Sequence, residues 1–384
     1  MTLLLPEVVH RNRSIDATRG MLMVLMALDH IRDFLGSAHF DATDLTVTTP
    51  AIFFARWITH FCAPGFFFLS GMSAFASLHF SKRSRPQLAR YLVTRGLLLI
   101  IVEQTLLRSL GWYFHFDYHF MNAGVLWALG FVMIFLAPLV FLNARSMTGI
   151  AIALIVVEAG LSSAGAKLPF ILDFFLQSRD YELAGYHFFV SYPPLAWFPA
   201  MALGFGLTSY LLVEGTLVRS RIVPILILCL VLFLLLRAIG SGDPANWNRQ
   251  AGALKTFLSL INVSKYPPSV AFLLLTIPGT LVALLVFHSL RVPVLEQFGR
   301  VPLFYYLAHI PLIHGMAVIY SFMYFGRADW LLSGPVIFWD VPLPGSPPEY
   351  GFGLPAIFGI WIGTNAILLY LCERYEKRVR LKAG

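Results

Sequence analysis

Ten stretches of mostly apolar residues run through this 384-residue chain, and their length limits what it can fold into. A helix of about 20 such residues spans the hydrocarbon core of a bilayer. The chain is 58% hydrophobic and only 12% charged, about half the charged fraction of a soluble domain. We therefore predict an all-α, polytopic membrane bundle of about ten helices, with residues 1–384 as a single domain. The predicted spans are 15–36, 51–79, 88–110, 124–142, 148–163, 192–213, 222–240, 269–290, 298–323 and 354–373.

Lysine and arginine are divided unevenly between the loops that join these spans. If the N-terminus is cytoplasmic, eighteen of the 28 fall on the cytoplasmic side, six fall in the outer loops and four lie at or near outer helix ends. Cytoplasmic loops of membrane proteins carry such an excess. We therefore predict that both termini are cytoplasmic and that the net charge of +8 reflects topology, not binding to nucleic acid. The first span lacks a small-residue cleavage site, which predicts a retained signal anchor.

The first predicted span carries an arginine and a histidine, Arg19 and His30. Eleven residues make about three helical turns, so both side chains lie on one face, roughly 16 Å apart along the axis. Asp16 and Asp33 fall on the same stripe. Charged groups inside a membrane are costly unless they face a partner or a water-filled cavity. The stripe therefore predicts a polar site that runs from one membrane surface towards the middle.

Other predicted spans place ionisable residues at a similar depth, in the outer half of the membrane. Several helices that contribute acids, bases and histidines at one depth are typical of a shared site. Three alternatives stay open: the arginines could extend to the interface, Glu103 could form a structural ion pair with Arg108 or Arg56, and His60 could be a packing histidine. The residues at this depth are Asp29, His30, Arg32, Asp33, Arg56, His60, Glu103, Arg108 and His309.

No metal site is predicted, because no Glu-x-x-His or His-Glu-x-x-His pairing occurs in the sequence. His115 and His119, on either side of Asp117, are a weak alternative in a predicted outer loop. The sequence also lacks a glycine-rich loop for nucleotide phosphates, which argues against an ATPase or a Rossmann enzyme.

Seven stretches of the sequence resemble a known family of membrane enzymes. They are RSIDATRG, MALDHIRDF, FFARWITHFCAPGFFFLSG, RGLLLIIVEQTLLR, SYPPLAWFPAMALG, KYPPS and FGRVPLFYYLAHI. Together they resemble the bacterial DUF1624 branch, which is related to the catalytic domain of heparan-α-glucosaminide N-acetyltransferase. The resemblance implies a membrane-bound acyltransferase of a bacterial inner membrane. Such an enzyme moves an acyl group such as acetyl from cytoplasmic acyl-CoA to an amino sugar or cell-envelope saccharide on the outer face.

The resemblance also implies a proton acceptor in or just after the first span. His30 is the first candidate, either as the general base, oriented by Asp29 or Asp33, or as a group that is itself acylated. The lysosomal member of the family has an asparagine at the position of His30, and its proposed histidine follows about three turns later. His39 lies close to that position and is the second candidate. His309 matches the motif FGRVPLFYYLAHI and is expected to face His30 across the cavity.

The resemblance assigns two further sets of residues. Arginines at the cytoplasmic ends of the spans are expected to bind the phosphates or pantetheine amides of CoA, although topology alone also places arginines there. The expected CoA-binding residues are Arg13, Arg19, Arg95 and Arg300. The expected acceptor-binding residues are Arg56, His60, Glu103, Arg108, Trp197, Lys265 and Tyr266.

A second class of function, a secondary transporter of a small organic ion, is the alternative. Ten helices with charges inside the membrane would suit it, although the sequence shows no internal repeat. A protein with only a structural or sensory role would not need the ionisable cluster. A homo-oligomer is left open, since no predicted span has a convincing small-xxx-small face.

Overall fold

The computed structural model describes residues 12–81, 83–165, 167–332 and 345–383, and it shows a helical membrane protein. Two segments of other helical geometry extend α-helices: a 3₁₀ segment, Ile58–Phe61, and a π-helical segment, Glu103–Trp112. The α-helices of the described residues are α1 Arg13–Leu35, α2 Pro50–Trp57, α3 Cys62–His79, α4 Arg85–Val102, α5 Val125–Leu139, α6 Ala144–Ser163, α7 Phe170–Leu176, α8 Pro194–Leu211, α9 Arg219–Ala238, α10 Ala253–Ile261, α11 Val270–Ser289, α12 Pro293–Arg300, α13 Pro302–Phe325, α14 Asp329–Leu332 and α15 Leu354–Ala383.

Six helical stretches within the described ranges are long and apolar enough to cross a membrane. The other four predicted spans are also helical and correspond to α1, α4, α5 and α8. None of these four is in the set of six: α5, at Val125–Leu139, is a shorter apolar helix, and in α1 the charged residues lower the hydropathy. The six are Pro50–His79, Ala144–Ser162, Arg219–Ala238, Val270–Ser289, Pro302–Phe325 and Leu354–Leu381.

The most polar of these helices, α1, lies inside the bundle. It packs against α3, α11, α12, α13 and α15, and most of its side chains are buried. By contrast, α6 and α9 lie on the outside of the bundle, and most of their residues are not buried by other parts of the protein. Because charged groups are costly against lipid, the charged helix is enclosed by protein while the apolar ones face outward.

Two glycines let α12 lie directly against the first half of α1. A Cβ at Gly20 would lie 1.9 Å from the carbonyl oxygen of Leu295, and a Cβ at Gly299 would lie 1.8 Å from that of Asp16. No side chain fits at those distances, so the close approach requires glycine. It places the carbonyl of Gly299 3.3 Å from the guanidinium of Arg19.

Short strands mark the two ends of the bundle. A three-stranded sheet in the order β1-β3-β2 lies beyond the C-terminal end of α1 and is formed by β1 Phe120–Ala123, β2 Arg179–Leu183 and β3 Tyr186–Val190. β1 runs parallel to β3, and β2 runs antiparallel to it. A hairpin of β4 Leu212–Val213 and β5 Thr216–Leu217 lies at the other end, where Asn12 donates to the carbonyl of Gly215.

The three longest segments between the predicted spans, 164–191, 241–268 and 324–353, contain regular structure. The loop over 164–191 contains α7, β2 and β3, and the loop over 241–268 contains α10. The loop over 324–353 contains α14, and its residues 333–344 lie outside the described ones.

Candidate functional site

Two cavities lie along α1, one towards each end of the helix. The first, about 510 Å³, is lined by the start of α1 and by all four arginines that the sequence assigned to CoA. We call it the arginine cavity. The second, about 460 Å³, lies at the C-terminal half of α1, and we call it the acid–base cavity. Its ionisable lining residues are Asp29, His30, Arg32, Asp33, Asp41, Arg56, His60, Cys62, Glu103, Tyr192, Lys265, Tyr266 and Tyr306.

The polar stripe on α1 runs from one cavity to the other. Arg19 and Met23 line the arginine cavity, while Met26 and His30 line the acid–base cavity. The helical spacing of the sequence therefore places Arg19 and His30 in two different cavities on one face of the helix.

The lining of the arginine cavity is charged in one part and apolar in another. In the charged part, Arg19 donates to Ser73 Oγ at 2.9 Å and to Asp16 Oδ1 at 3.3 Å. Arg300 donates to Glu376 Oε1 at 3.0 Å. The α4 and α5 sides contribute apolar side chains. This arrangement suits a ligand with an anionic head and a neutral, partly apolar tail. The apolar residues are Leu92, Leu99, Leu126, Leu129 and Met133.

In the acid–base cavity, carboxylates and guanidinium groups alternate in a chain. Asp29 accepts from Arg56 at 2.5 Å through one oxygen and from Arg32 at 3.0 Å through the other. Arg32 also donates to Asp33 Oδ1 at 2.8 Å. Arg32 and Arg56 are thus paired inside the cavity and do not extend to an interface. Such pairing offsets part of the cost of holding these charges in a membrane protein.

His30 lies next to this chain of charges without being hydrogen-bonded into it. Its Nδ1 lies 3.7 Å from Asp33 Oδ2 and has no hydrogen-bond partner among the described residues. The ring packs edge-on against Trp112, with centroids 5.0 Å apart. Because both oxygens of Asp29 are taken by arginines, Asp33 is the carboxylate available to His30. The imidazole can therefore take up a proton beside a negative charge.

His309 lies behind His30 and is fully buried. The two ring centroids are 5.3 Å apart. Its Nδ1 lies 2.7 Å from the carbonyl oxygen of Tyr306, which can only accept, so Nδ1 carries a proton. Nε2 has no hydrogen-bond partner among the described residues. His309 is thus next to His30, but it does not face it across the cavity as the resemblance led us to expect, because it is not among the residues that line either cavity.

Like His309, three further predicted site residues, His39, Arg108 and Trp197, lie outside the lining of both cavities. His39 Nε2 lies 3.0 Å from the carbonyl oxygen of Tyr350. Trp197 is fully buried and stacks on Phe67, with centroids 5.2 Å apart. Arg108 is buried and donates to backbone carbonyls of the loop that precedes β1 and of its first residue. Each of these three side chains is thus bound or packed within the protein and does not line a cavity.

Glu103 lines the acid–base cavity but forms no ion pair with Arg108 or Arg56 in the described part of the chain, contrary to the alternative raised by the sequence. Its Oε2 accepts from the backbone N–H of Leu126 at 3.0 Å, and the side chain is only 2% exposed. A carboxylate in this place caps the N-terminal turn of α5. The carboxylate at the start of the π-helical segment thus fixes the start of α5.

Lys265 and Tyr266 close the acid–base cavity on the side of α11. The Lys265 ammonium, 7% exposed as a residue, lies 4.9 Å from the centroid of the Tyr266 ring. Tyr266 Oη lies 3.0 Å from Tyr192 Oη. His60 lines the same cavity, and its Nδ1 has no hydrogen-bond partner among the residues that the structure describes. A cation, two phenols and a histidine therefore surround one volume.

Two histidines near the three-stranded sheet, His119 and His187, each pair with one aspartate. His119 Nδ1 lies 2.5 Å from Asp117 Oδ1, and the backbone N–H of His119 helps to lower the pKa of that carboxyl. His187 is hydrogen-bonded to Asp180, which raises the pKa of this imidazole. Across the described ranges, no group of three or more histidine, cysteine, aspartate and glutamate residues is arranged to hold a metal ion.

Some cavity residues were missed by reasoning from the sequence. Trp112 lines the acid–base cavity from the end of the π-helical segment. Phe66 and Tyr306 line both cavities, although each reads as an ordinary apolar residue of a membrane span. Both lie in stretches that carry the family resemblance, FFARWITHFCAPGFFFLSG and FGRVPLFYYLAHI, and that resemblance was the one signal that could have singled them out.

One protein family, described as heparan-alpha-glucosaminide N-acetyltransferase, catalytic, matches residues 11–235 of this chain. No curated protein matches the chain. The matched segment includes α1 to α8, most of α9 and the charge chain of the acid–base cavity, while Lys265 and His309 lie beyond it. Because the match spans more than half of the sequence, the chain belongs to the family of heparan-α-glucosaminide N-acetyltransferase catalytic domains.

Proposed function

We propose that this protein is an acyl-CoA-dependent transmembrane acyltransferase that transfers an acyl group, acetyl first of all, to an amino sugar or other cell-envelope saccharide. One observation carries the proposal: the same helix face leads from a cavity lined by arginines and by apolar side chains to a cavity that holds a histidine beside a carboxylate. Both sets of residues on α1 lie inside the segment that matches the acetyltransferase family.

The arginine cavity suits acyl-CoA as the donor. Arg13, Arg19, Arg95 and Arg300 supply positive charge and planar donors for phosphate oxygens. The apolar side chains of α4 and α5 suit the methylenes of the pantetheine arm and the acyl end of the thioester. The donor therefore enters with its acyl group directed along α1 towards His30.

The acid–base cavity suits an acceptor with a nucleophilic amine or hydroxyl. In the proposed reaction the acceptor nitrogen or oxygen attacks the thioester carbonyl carbon, and His30 takes the proton that the acceptor loses. The carbon–sulfur bond breaks, and the CoA thiolate receives that proton as it leaves. Asp33 stabilises the transient imidazolium, and Lys265 lies in the same cavity as a positive charge for the developing oxyanion.

The orientation follows from the same proposal. The arginine cavity opens to the cytoplasm, where acyl-CoA is found, and the acid–base cavity opens to the outer face of a bacterial inner membrane. About ten spans with both termini in the cytoplasm give this arrangement, in agreement with the excess of basic residues on that side. Its partners are then the lipid bilayer, acyl-CoA and the acceptor, and the arrangement is compatible with a homo-oligomer.

Release of free CoA thiol by the purified protein tests the proposal. Acetyl-CoA is supplied with and without a panel of amino sugars to the wild type, His30→Ala and His39→Ala. His79→Ala is a matched control, because His79 is exposed and lies outside both cavities. We expect acceptor-dependent release that falls about 100-fold or more in His30→Ala and changes little in the other two variants. A loss confined to His39→Ala would move the base to His39.

Two further results decide the class of function and the number of steps. If no acyl-CoA is consumed, while proteoliposomes accumulate a solute without it, the protein is a transporter and the proposal is wrong. If acetyl-CoA alone releases one CoA per protein before any acceptor is added, and His30→Ala loses this burst, His30 is itself acylated. Release only with acceptor indicates direct attack.

A further inference from the structure

The two cavities meet at a wall made of three side chains. Phe66 of α3, Val125 of α5 and Tyr306 of α13 are the residues that appear in the lining of both. On α1, Met23 borders one cavity and Met26 the other, so the wall crosses the polar stripe between these two residues. We call Phe66, Val125 and Tyr306 the septum. Since one side chain touches both volumes, the septum is a single side chain thick.

The helices that carry the septum are held in place independently of it. Tyr306 is 4% exposed, and its carbonyl is fixed by His309 Nδ1. Val125 is the first residue of α5, and Glu103 caps the following N–H. Phe66, 8% exposed, is a residue of the largely buried helix α3. A change in one septum side chain therefore alters the opening between the cavities more than the position of the helices.

We propose that the septum sets the length of the acyl group that this protein transfers and selects the two-carbon acetyl group. The inference rests on the proposed function, because it applies to an acyl group that passes from the arginine cavity to His30. A longer chain has to pass Phe66 and Tyr306 and then lie against the ion-paired Asp29 and Arg56. Its methylenes gain little free energy there, whereas burial in an apolar surrounding would favour them.

The septum has a second consequence, which concerns water. Until the acyl group has passed the septum, water in the acid–base cavity is kept from the thioester in the arginine cavity. With the wall opened, a water molecule can replace the acceptor: its oxygen bonds to the carbonyl carbon, the carbon–sulfur bond breaks, and a carboxylic acid and CoA thiol are formed. A weakened septum should therefore increase acceptor-independent release of CoA.

The test compares acetyl-, butyryl- and hexanoyl-CoA as donors for the wild type, Phe66→Ala, Phe66→Leu and Val125→Phe. The quantity measured is the ratio of butyryl to acetyl turnover, which does not depend on the folded fraction of a preparation. We expect this ratio to rise about 10-fold or more in Phe66→Ala and by less in Phe66→Leu, since a small change in an apolar pocket is worth about that factor. Val125→Phe should narrow the opening and lower it.

Phe67→Ala is the matched control. Phe67 is the next residue of α3 and is fully buried, but it packs on Trp197 and lines neither cavity. It should keep the wild-type ratio and the wild-type dependence on acceptor, even if less protein folds. If the ratio is unchanged in both Phe66 variants, or changes equally in Phe67→Ala, the septum does not select the acyl group. The proposed function would not be affected by that result. A wild type that consumes no acyl-CoA at all overturns the proposed function and this inference with it.

Discussion

At the scale of single residues, the two aspartates near His30 have different surroundings. Asp29 is bound through both oxygens by Arg32 and Arg56, whereas Asp33 has one oxygen on Arg32 and the other 3.7 Å from His30. Asp29 is thus the structural partner of two cations. Asp33 is the carboxylate whose negative charge lies next to the His30 imidazole.

Replacement of Asp33 by asparagine should lower the turnover rate. The side chain keeps its size and a hydrogen-bonding oxygen for Arg32, but the negative charge that stabilises the His30 imidazolium is lost. We expect the rate of acceptor-dependent CoA release to fall about 10-fold or more, with the KM for acetyl-CoA little changed. Steady-state kinetics check this, and an equal loss of affinity for acetyl-CoA would contradict the assignment.

Replacement of Asp29 by alanine should lower the stability of the fold. Asp29→Ala leaves the Arg56 guanidinium buried without its 2.5 Å partner. Removal of one member of a buried pair costs about 3–5 kcal/mol, so the midpoint of thermal unfolding in detergent should fall clearly. The double variant Asp29→Ala/Arg56→Met should recover part of that loss. A single variant as stable as the wild type would show that the pair is not structural.

At the scale of elements, some features could be predicted from the sequence and others could not. The first span, predicted as 15–36, corresponds to Arg13–Leu35, because Asn12 caps the helix and the apolar residues continue to its end. The change from α to π geometry at Glu103 leaves no pattern in the sequence, because it depends on how α4 packs and on the capping of α5. The strand β3 pairs with its neighbour β2 and with β1, which is more than 60 residues earlier in the chain, so the sequence of the loop alone does not indicate the sheet.

The close contact between α12 and α1 predicts the effect of adding a single methyl group at Gly299. Gly299→Ala places a Cβ against the carbonyl oxygen of Asp16, where 1.8 Å is available, so α12 has to move away from Arg19. We expect a loss of about 1–3 kcal/mol in stability and weaker binding of acetyl-CoA. Gly315→Ala on α13 is the control, because nothing lies within 4 Å of its added Cβ.

Thermal unfolding and acetyl-CoA binding, measured on both glycine variants, check this. Gly315→Ala should be at least as stable as the wild type, because alanine favours a helix more than glycine does. If the two variants behave alike, the packing of α12 does not position the arginine cavity.

At the scale of the whole molecule, the charged helix lies inside and apolar helices face outward, with a cavity towards each end of α1. Composition and the helical spacing of Arg19 and His30 were enough to predict a membrane bundle with a polar stripe. They could not show that the stripe is divided by Phe66, Val125 and Tyr306. The side chains of this wall come from helices far apart in sequence, and none of them is polar enough to stand out.

The proposed orientation predicts which positions a membrane-impermeant thiol reagent reaches in intact cells. Arg249→Cys, an exposed position between α9 and α10, should be labelled from outside. Ser220→Cys, an exposed position at the start of α9, should be labelled only after the membrane is opened. The opposite pattern would reverse the faces assigned to donor and acceptor.

The most direct test of the central claim follows the acyl group across the membrane. Sealed inverted vesicles that contain the protein are loaded with an amino sugar, and radiolabelled acetyl-CoA is added outside, on the cytoplasmic face. The account predicts that labelled acetyl appears on the trapped sugar, and that His30→Ala vesicles do not produce it. Acetylation that occurs only when donor and sugar are on the same side would contradict transfer from the arginine cavity to the acid–base cavity.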